Sequence, residues 1–164
     1  MKYFILLLSF FSFSALAQEW KVVDEYKFSD PLLSKKNVAF TSYGETINGH
    51  TSQWLTASFV CNQYTGSYLR FYFRKGTNQR NKEITLNWKI DNNKWNQAKA
   101  LEIQGSNMVV VNSGEYENSY TSIVNSMNTG DYLYVSIDGK YAEKVSLKGF
   151  SQSKRTVEVN GNCL

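Results

Sequence analysis

Residue types able to carry acid–base, nucleophilic or metal chemistry are sparse in this chain, which has one histidine, two cysteines and fourteen carboxylate side chains in 164 residues. His50 closes the polar stretch Tyr43-Gly44-Glu45-Thr46-Ile47-Asn48-Gly49-His50, where a solvated loop histidine is the expectation and a general base the less economical reading. Serines abound, but no GxSxG elbow presents one as a nucleophile. One histidine and two distant cysteines do not make a zinc site by count. Glu115 and Glu117 are the one local carboxylate pair that invites comparison with a glycosidase, and they are better explained as complements to the positive end of a helix dipole. With no GxGxxG and no phosphate-binding loop, no cofactor and no metal is expected, and the chain reads as a non-enzyme.

The polar pattern with most recognition potential is Tyr68, Arg70, Tyr72 and Arg74, which alternate with apolar residues and would form an outward ladder on one strand. Lys75, Arg80 and Lys82 add positive charge beside it. Tyrosine and arginine combine contact area with directional hydrogen bonds, so this face is the candidate binding surface for an acidic protein, a polysaccharide or anionic lipid. The competing reading is that aromatic and long basic side chains stabilise an exposed sheet face by cross-strand packing.

Positioning these residues requires a fold, and the first segment belongs to export instead. Lys2 precedes an apolar run from Phe4 to Phe13, and Ala15-Leu16-Ala17 follows, which is the pattern of a signal peptide over residues 1–17 cleaved before Gln18. The run is shorter than the ~20 apolar residues of a bilayer span. Without Lys2 the formal charge falls from +4 to +3, too small and scattered an excess for a nucleic-acid partner. No transmembrane segment is expected after cleavage, so residues 18–164 should be a soluble periplasmic domain with a periplasmic or envelope protein as its partner. In an oxidising compartment a lone pair of cysteines tends to be bonded, and Cys61 with Cys163 would close a loop of about 100 residues, worth roughly 4–5 kcal/mol in the chain-entropy treatment.

Period-two alternation broken by Gly, Asn, Asp and Ser clusters dominates residues 18–164 and points to antiparallel sheet. Residues 54–62 place Leu55, Ala57, Phe59 and Cys61 on one face. Residues 67–75 turn Leu69, Phe71 and Phe73 inward, and residues 82–91 do the same with Ile84, Leu86, Trp88 and Ile90; the short polar link between these two suggests an antiparallel hairpin. A second hairpin is expected around Asp138-Gly139: a two-residue loop would set Ile137 against Lys140, whereas a three-residue loop, the favoured reading, sets Ile137 against Tyr141 and Leu133 against Val145.

Residues 115–127 depart from this period. Tyr116, Tyr120, Ile123, Val124 and Met127 are spaced for one helix stripe, with Ser113 as N-cap and Gly130 near the stop. Residues 153–163 are open: Thr156, Val157 and Val159 suit a strand, while length and flanks allow helix. One domain follows: a mainly β fold, an antiparallel β-sandwich or partly open barrel of about seven to nine strands with one short surface helix.

The landmarks run in the order Trp20, Ser29-Asp30-Pro31-Leu32, Asn37-Val38, Leu55 and Cys61, then Leu86-Asn87-Trp88-Lys89-Ile90-Asp91 with Trp95, and close with Val145-Ser146-Leu147-Lys148-Gly149-Phe150 and Cys163. In this order the chain resembles the type VI secretion-associated VasI/TagO-like family of small periplasmic proteins. That family commonly has Arg where Lys89 stands and a helix in its final segment. The resemblance implies an exported accessory or binding domain and supplies no catalytic residue. Two other functions compete with it: a periplasmic inhibitor of an envelope-directed enzyme such as lysozyme, and a hydrolase whose carboxylates are brought together by folding.

Overall fold

A computed structural model of the chain describes residues 19–22, 38–43, 46–47, 50–51, 55–62, 66–73, 82–103, 107–137, 139 and 141–163. The expected leader, Arg74 and the link 74–81 lie outside these residues.

Alternation of apolar and polar residues is satisfied by antiparallel sheet. The strands are β1 (Lys21–Val22), β2 (Val38–Tyr43), β3 (Thr46–Ile47), β4 (His50–Thr51), β5 (Leu55–Asn62), β6 (Gly66–Phe73), β7 (Lys82–Ile90), β8 (Asn96–Ile103), β9 (Met108–Asn112), β10 (Tyr132–Ile137) and β11 (Tyr141–Ser146). Helix α1 (Glu117–Met127) lies between β9 and β10, and α2 (Phe150–Gly161) follows β11. Nine strands form one sheet in the order β1-β2-β5-β6-β9-β8-β7-β10-β11, and β3 pairs with β4 separately. All pairings are antiparallel. Strand β11 comes back alongside β2 and β5, so the sheet is nearly closed into a barrel, one of the two forms expected from the sequence.

The inward positions are those that alternation selects. Leu55, Ala57, Phe59, Leu69, Phe71, Leu86, Ala100, Val109, Val111, Leu133, Val135 and Val145 are fully buried in one core. Burying a large aliphatic or aromatic side chain is worth about 1.5–3 kcal/mol, so these rows supply the main drive to curl the sheet around its own interior. The β10–β11 register follows the expected three-residue loop, with Ile137 opposite Tyr141 and Leu133 opposite Val145. Gly139 takes φ +69 there, a conformation that glycine adopts without steric cost.

Three expectations are corrected. Strands β6 and β7 are not hairpin partners: β6 lies between β5 and β9, and β7 between β8 and β10. The connection from Asn62 to Gly66 is short and gives β6 its first partner, while Val109 and Val111 of β9 fit Phe71 and Leu69 on its other edge. An inward apolar row is compatible with several neighbours, so adjacency in sequence does not settle adjacency in the sheet.

The chain also has a second helix, because residues 150–161 bury Phe150, Ser153, Val157 and Gly161, a helical stripe. Of the β-branched residues that suggested a strand, Val157 alone faces the core; Val159 is 58% exposed and Thr156 is exposed. Left-handed Gly149 and Asn162 bound the helix.

Finally, Ser113 does not cap α1. The Asn112 side chain accepts from the backbone N–H groups of Glu115 and Tyr116 at 2.6 and 3.3 Å, while Ser113 Oγ accepts from the Ser67 N–H at 3.1 Å. Helix α1 sits where β8 and β9 diverge, and Ser119 Oγ accepts the Lys99 backbone N–H at 3.1 Å, satisfying a donor that β9 no longer reaches.

Candidate functional site

Staple and clasp hold the frame on which any surface is displayed. Cys61 on β5 and Cys163 just beyond α2 are joined by a disulfide across 102 residues of sequence, with Cα atoms 5.9 Å apart, within the usual range for such a bridge. Cys61 is in the core at 1% exposure. Beside it Phe150 meets Phe59 and Trp20 edge-to-face, with ring centroids 6.2 and 4.8 Å apart. Trp20 donates its backbone N–H to the Lys148 carbonyl at 2.9 Å and its indole N–H to the Ser146 carbonyl at 2.8 Å. Ser153 Oγ donates to the Trp20 carbonyl at 3.0 Å. The start of β1, the end of β11 and α2 are thus tied into one seam.

The ladder read from β6 divides into unlike positions. Tyr68 is half-buried and Tyr72 is 49% exposed, but Arg70 between them is 8% exposed and opposite Ser58, itself 3% exposed. Tyr68 and Arg70 are both engaged in interactions within the protein. Arg74 lies outside the described residues. Arg70 is therefore largely covered, and among the described residues of this face Tyr72 is the most exposed. Alternation assigns a side, but not whether that side is covered.

A different surface brings cations and aromatic rings together. The outward positions of β7, β10 and β11 align Lys89, Tyr134 and Lys144 across three neighbouring strands. Lys89 Nζ stands 4.8 Å from the Tyr134 ring centroid and 5.3 Å from that of Trp95. Lys144 Nζ lies 5.1 Å from the Tyr132 ring centroid. These are cation–π distances, worth about 0.5–1 kcal/mol at exposed sites. Trp95 and Tyr132 remain 46% and 42% exposed, and the Gln97 and Asn87 amides, linked at 3.4 Å, lie on the same face. The surface can offer ring faces, ammonium groups and amides to a ligand.

Sequence reasoning missed this row. Lys89 and Trp95 were visible as parts of a motif, and the β10–β11 register pairs Tyr134 with Lys144. What was missing was the pairing of β7 with β10, which connects residues some 45 apart.

Residues considered for catalysis are placed separately. His50 is in β4, where its backbone pairs with Ile47 in a short hairpin rather than an irregular loop. Glu117 opens α1, and Glu115 precedes it with its N–H on Asn112. Among the described residues no three His, Cys, Asp or Glu side chains converge to hold a metal. Perturbed titrations follow burial: desolvation pushes the Tyr120 phenol up to about 12, against a smaller opposing effect of its hydrogen bond with Ser67, and desolvation raises the Glu143 carboxyl. Exposed Glu19 is lowered by its hydrogen bond and ion pair with Lys148.

No protein family, curated protein or solved structure matches this chain. Its fold and surface chemistry stand on its own residues.

Proposed function

We propose that this chain is an exported, disulfide-stapled domain of the Gram-negative periplasm that acts by binding, without catalysis of its own, as an accessory to a cell-envelope assembly such as a type VI secretion apparatus. The observation that carries the binding reading is the row Trp95, Lys89, Tyr134 and Lys144 on an open sheet face. Strands β7 and β10 are hydrogen-bonded along both edges, so this cluster of large aromatic and cationic side chains lies within the sheet face and not at a sheet edge. Aromatic and basic groups that combine area with direction are favoured in recognition.

Export is supported by the leader-like residues 1–17 and by the disulfide, a bond that oxidising compartments sustain. No helix among the described residues is long and apolar enough to cross a membrane.

The test is expression of the full chain in a Gram-negative host. Periplasmic material should begin at Gln18, lack free thiols and capture a specific envelope component, with capture weakened by Trp95→Ala. An unprocessed chain confined to the cytoplasm would overturn the reading.

A further inference from the structure

We infer that the outward face of β7, β10 and β11 docks a carboxylate-bearing glycan, with Trp95 stacked on a sugar ring and Lys89 facing the carboxylate; this rests on the proposed role as an exported binding domain. Lys89 carries the argument. Its ammonium is held between the Trp95 and Tyr134 rings, 5.3 and 4.8 Å from their centroids, and no carboxylate of the described residues forms an ion pair with it. Two acidic side chains nearby are engaged by other groups. Glu83, the acidic residue at an outward position of β7, pairs with Lys99 at 3.1 Å. Asp91 accepts the backbone N–H groups of Asp131 and Tyr132, the latter at 2.8 Å. A partly desolvated cation that forms no ion pair with a described carboxylate is complementary to an anionic ligand.

The remaining features favour a sugar over a peptide. A peptide recognised through its backbone needs a free sheet edge, and β7 and β10 have none, since β8, β7, β10 and β11 are consecutive neighbours. On β7 and β10 binding must use side chains. A pyranose presents apolar C–H faces that suit the exposed indole of Trp95 and the ring of Tyr132, while its hydroxyls suit amides such as Gln97 and Asn87 one row along.

The exported chain, disulfide intact, is titrated with polygalacturonate, with uncharged dextran and with polyglutamate, at low and high salt. Polygalacturonate should bind most tightly and lose affinity with salt. Lys89→Gln and Trp95→Ala should each weaken it about tenfold, while Val159→Ala on the exposed side of α2 leaves it unchanged; near-UV circular dichroism verifies that each variant is folded. Dextran binding as well as polygalacturonate would overturn the role of the carboxylate, and tighter binding of polyglutamate would assign the surface to an acidic protein. Affinity indifferent to both Lys89→Gln and Trp95→Ala, or no glycan binding at all, would also overturn the inference. If envelope capture still depends on Trp95 while polygalacturonate fails to bind, the glycan assignment falls and the exported binding role stands.

Discussion

Trp20 donates its indole N–H to the Ser146 carbonyl at 2.8 Å, joining the beginning of the described chain to the last residue of β11. The ring itself is 3% exposed and packs on Phe150. A residue close to the expected mature terminus is thus a core residue that ties the start of the described chain to the end of β11. Trp20→Ala should destabilise the fold by about 3–5 kcal/mol through the cavity it leaves. Trp20→Phe should keep most of the packing and cost about 1 kcal/mol or somewhat more, because the Ser146 carbonyl loses its donor. Urea unfolding with a common m-value measures both; equal losses would show that the hydrogen bond, and not the packing, carries the contribution of this residue.

The disulfide should matter most to α2. Replacing Cys61 and Cys163 together by serine should cost about 2–5 kcal/mol, since the bridge spans 102 residues and anchors the chain end to β5. Hydrogen exchange should show α2 opening before the strands. Simultaneous opening of α2 and β5 in the variant would mean that Phe150 and Val157 hold the helix unaided.

Gly130 is required by contact rather than by a positive φ. A Cβ at this position would lie 2.0 Å from Ile90 Cγ2, closer than atoms can approach, so Gly130→Ala should destabilise by about 1–3 kcal/mol through overpacking. Ile90→Ala removes the opposing methyl. The double variant should therefore lose less stability than the sum of the single ones, a non-additivity that a double-mutant cycle measures.

Tyr120 supplies an alkaline limb to the stability profile. Its phenol is raised from 10 to about 12, chiefly by burial, so the unfolded chain releases this proton first as pH rises. Stability contributed by the neutral phenol is present below pH 10 and declines from there to about pH 12. Tyr120→Phe should flatten that part of the curve, and the difference between the two proteins isolates it from lysine titration. Parallel profiles over that window would exclude the effect.

How much was legible in advance depended on whether the physics was local. The inward sets on β5 and β7, the β10–β11 register and the helix stripe of α1 could be read because residue spacing and turn length encode them directly. The close of the chain was harder, since Thr156, Val157 and Val159 have strand propensities. Their fate was settled by which face could reach the core: Phe150, Ser153 and Val157 do so as a helix. Arg70 illustrates a different limit. Its outward side was correctly placed, but its 8% exposure depends on what lies over the strand.

The amino-acid order by itself determined the β character of the chain, its inward rows, its late hairpin and the pair of sulfurs available for a bridge, because each is a matter of period, turn length or count. Only tertiary structure decided that β9 and β8 separate β6 from β7, that β10 lies beside β7, and so that Lys89 stands between Trp95 and Tyr134. Strand edges are chemically alike, and an apolar row matches many partners; the choice among them is made by how all the rows fill one interior together.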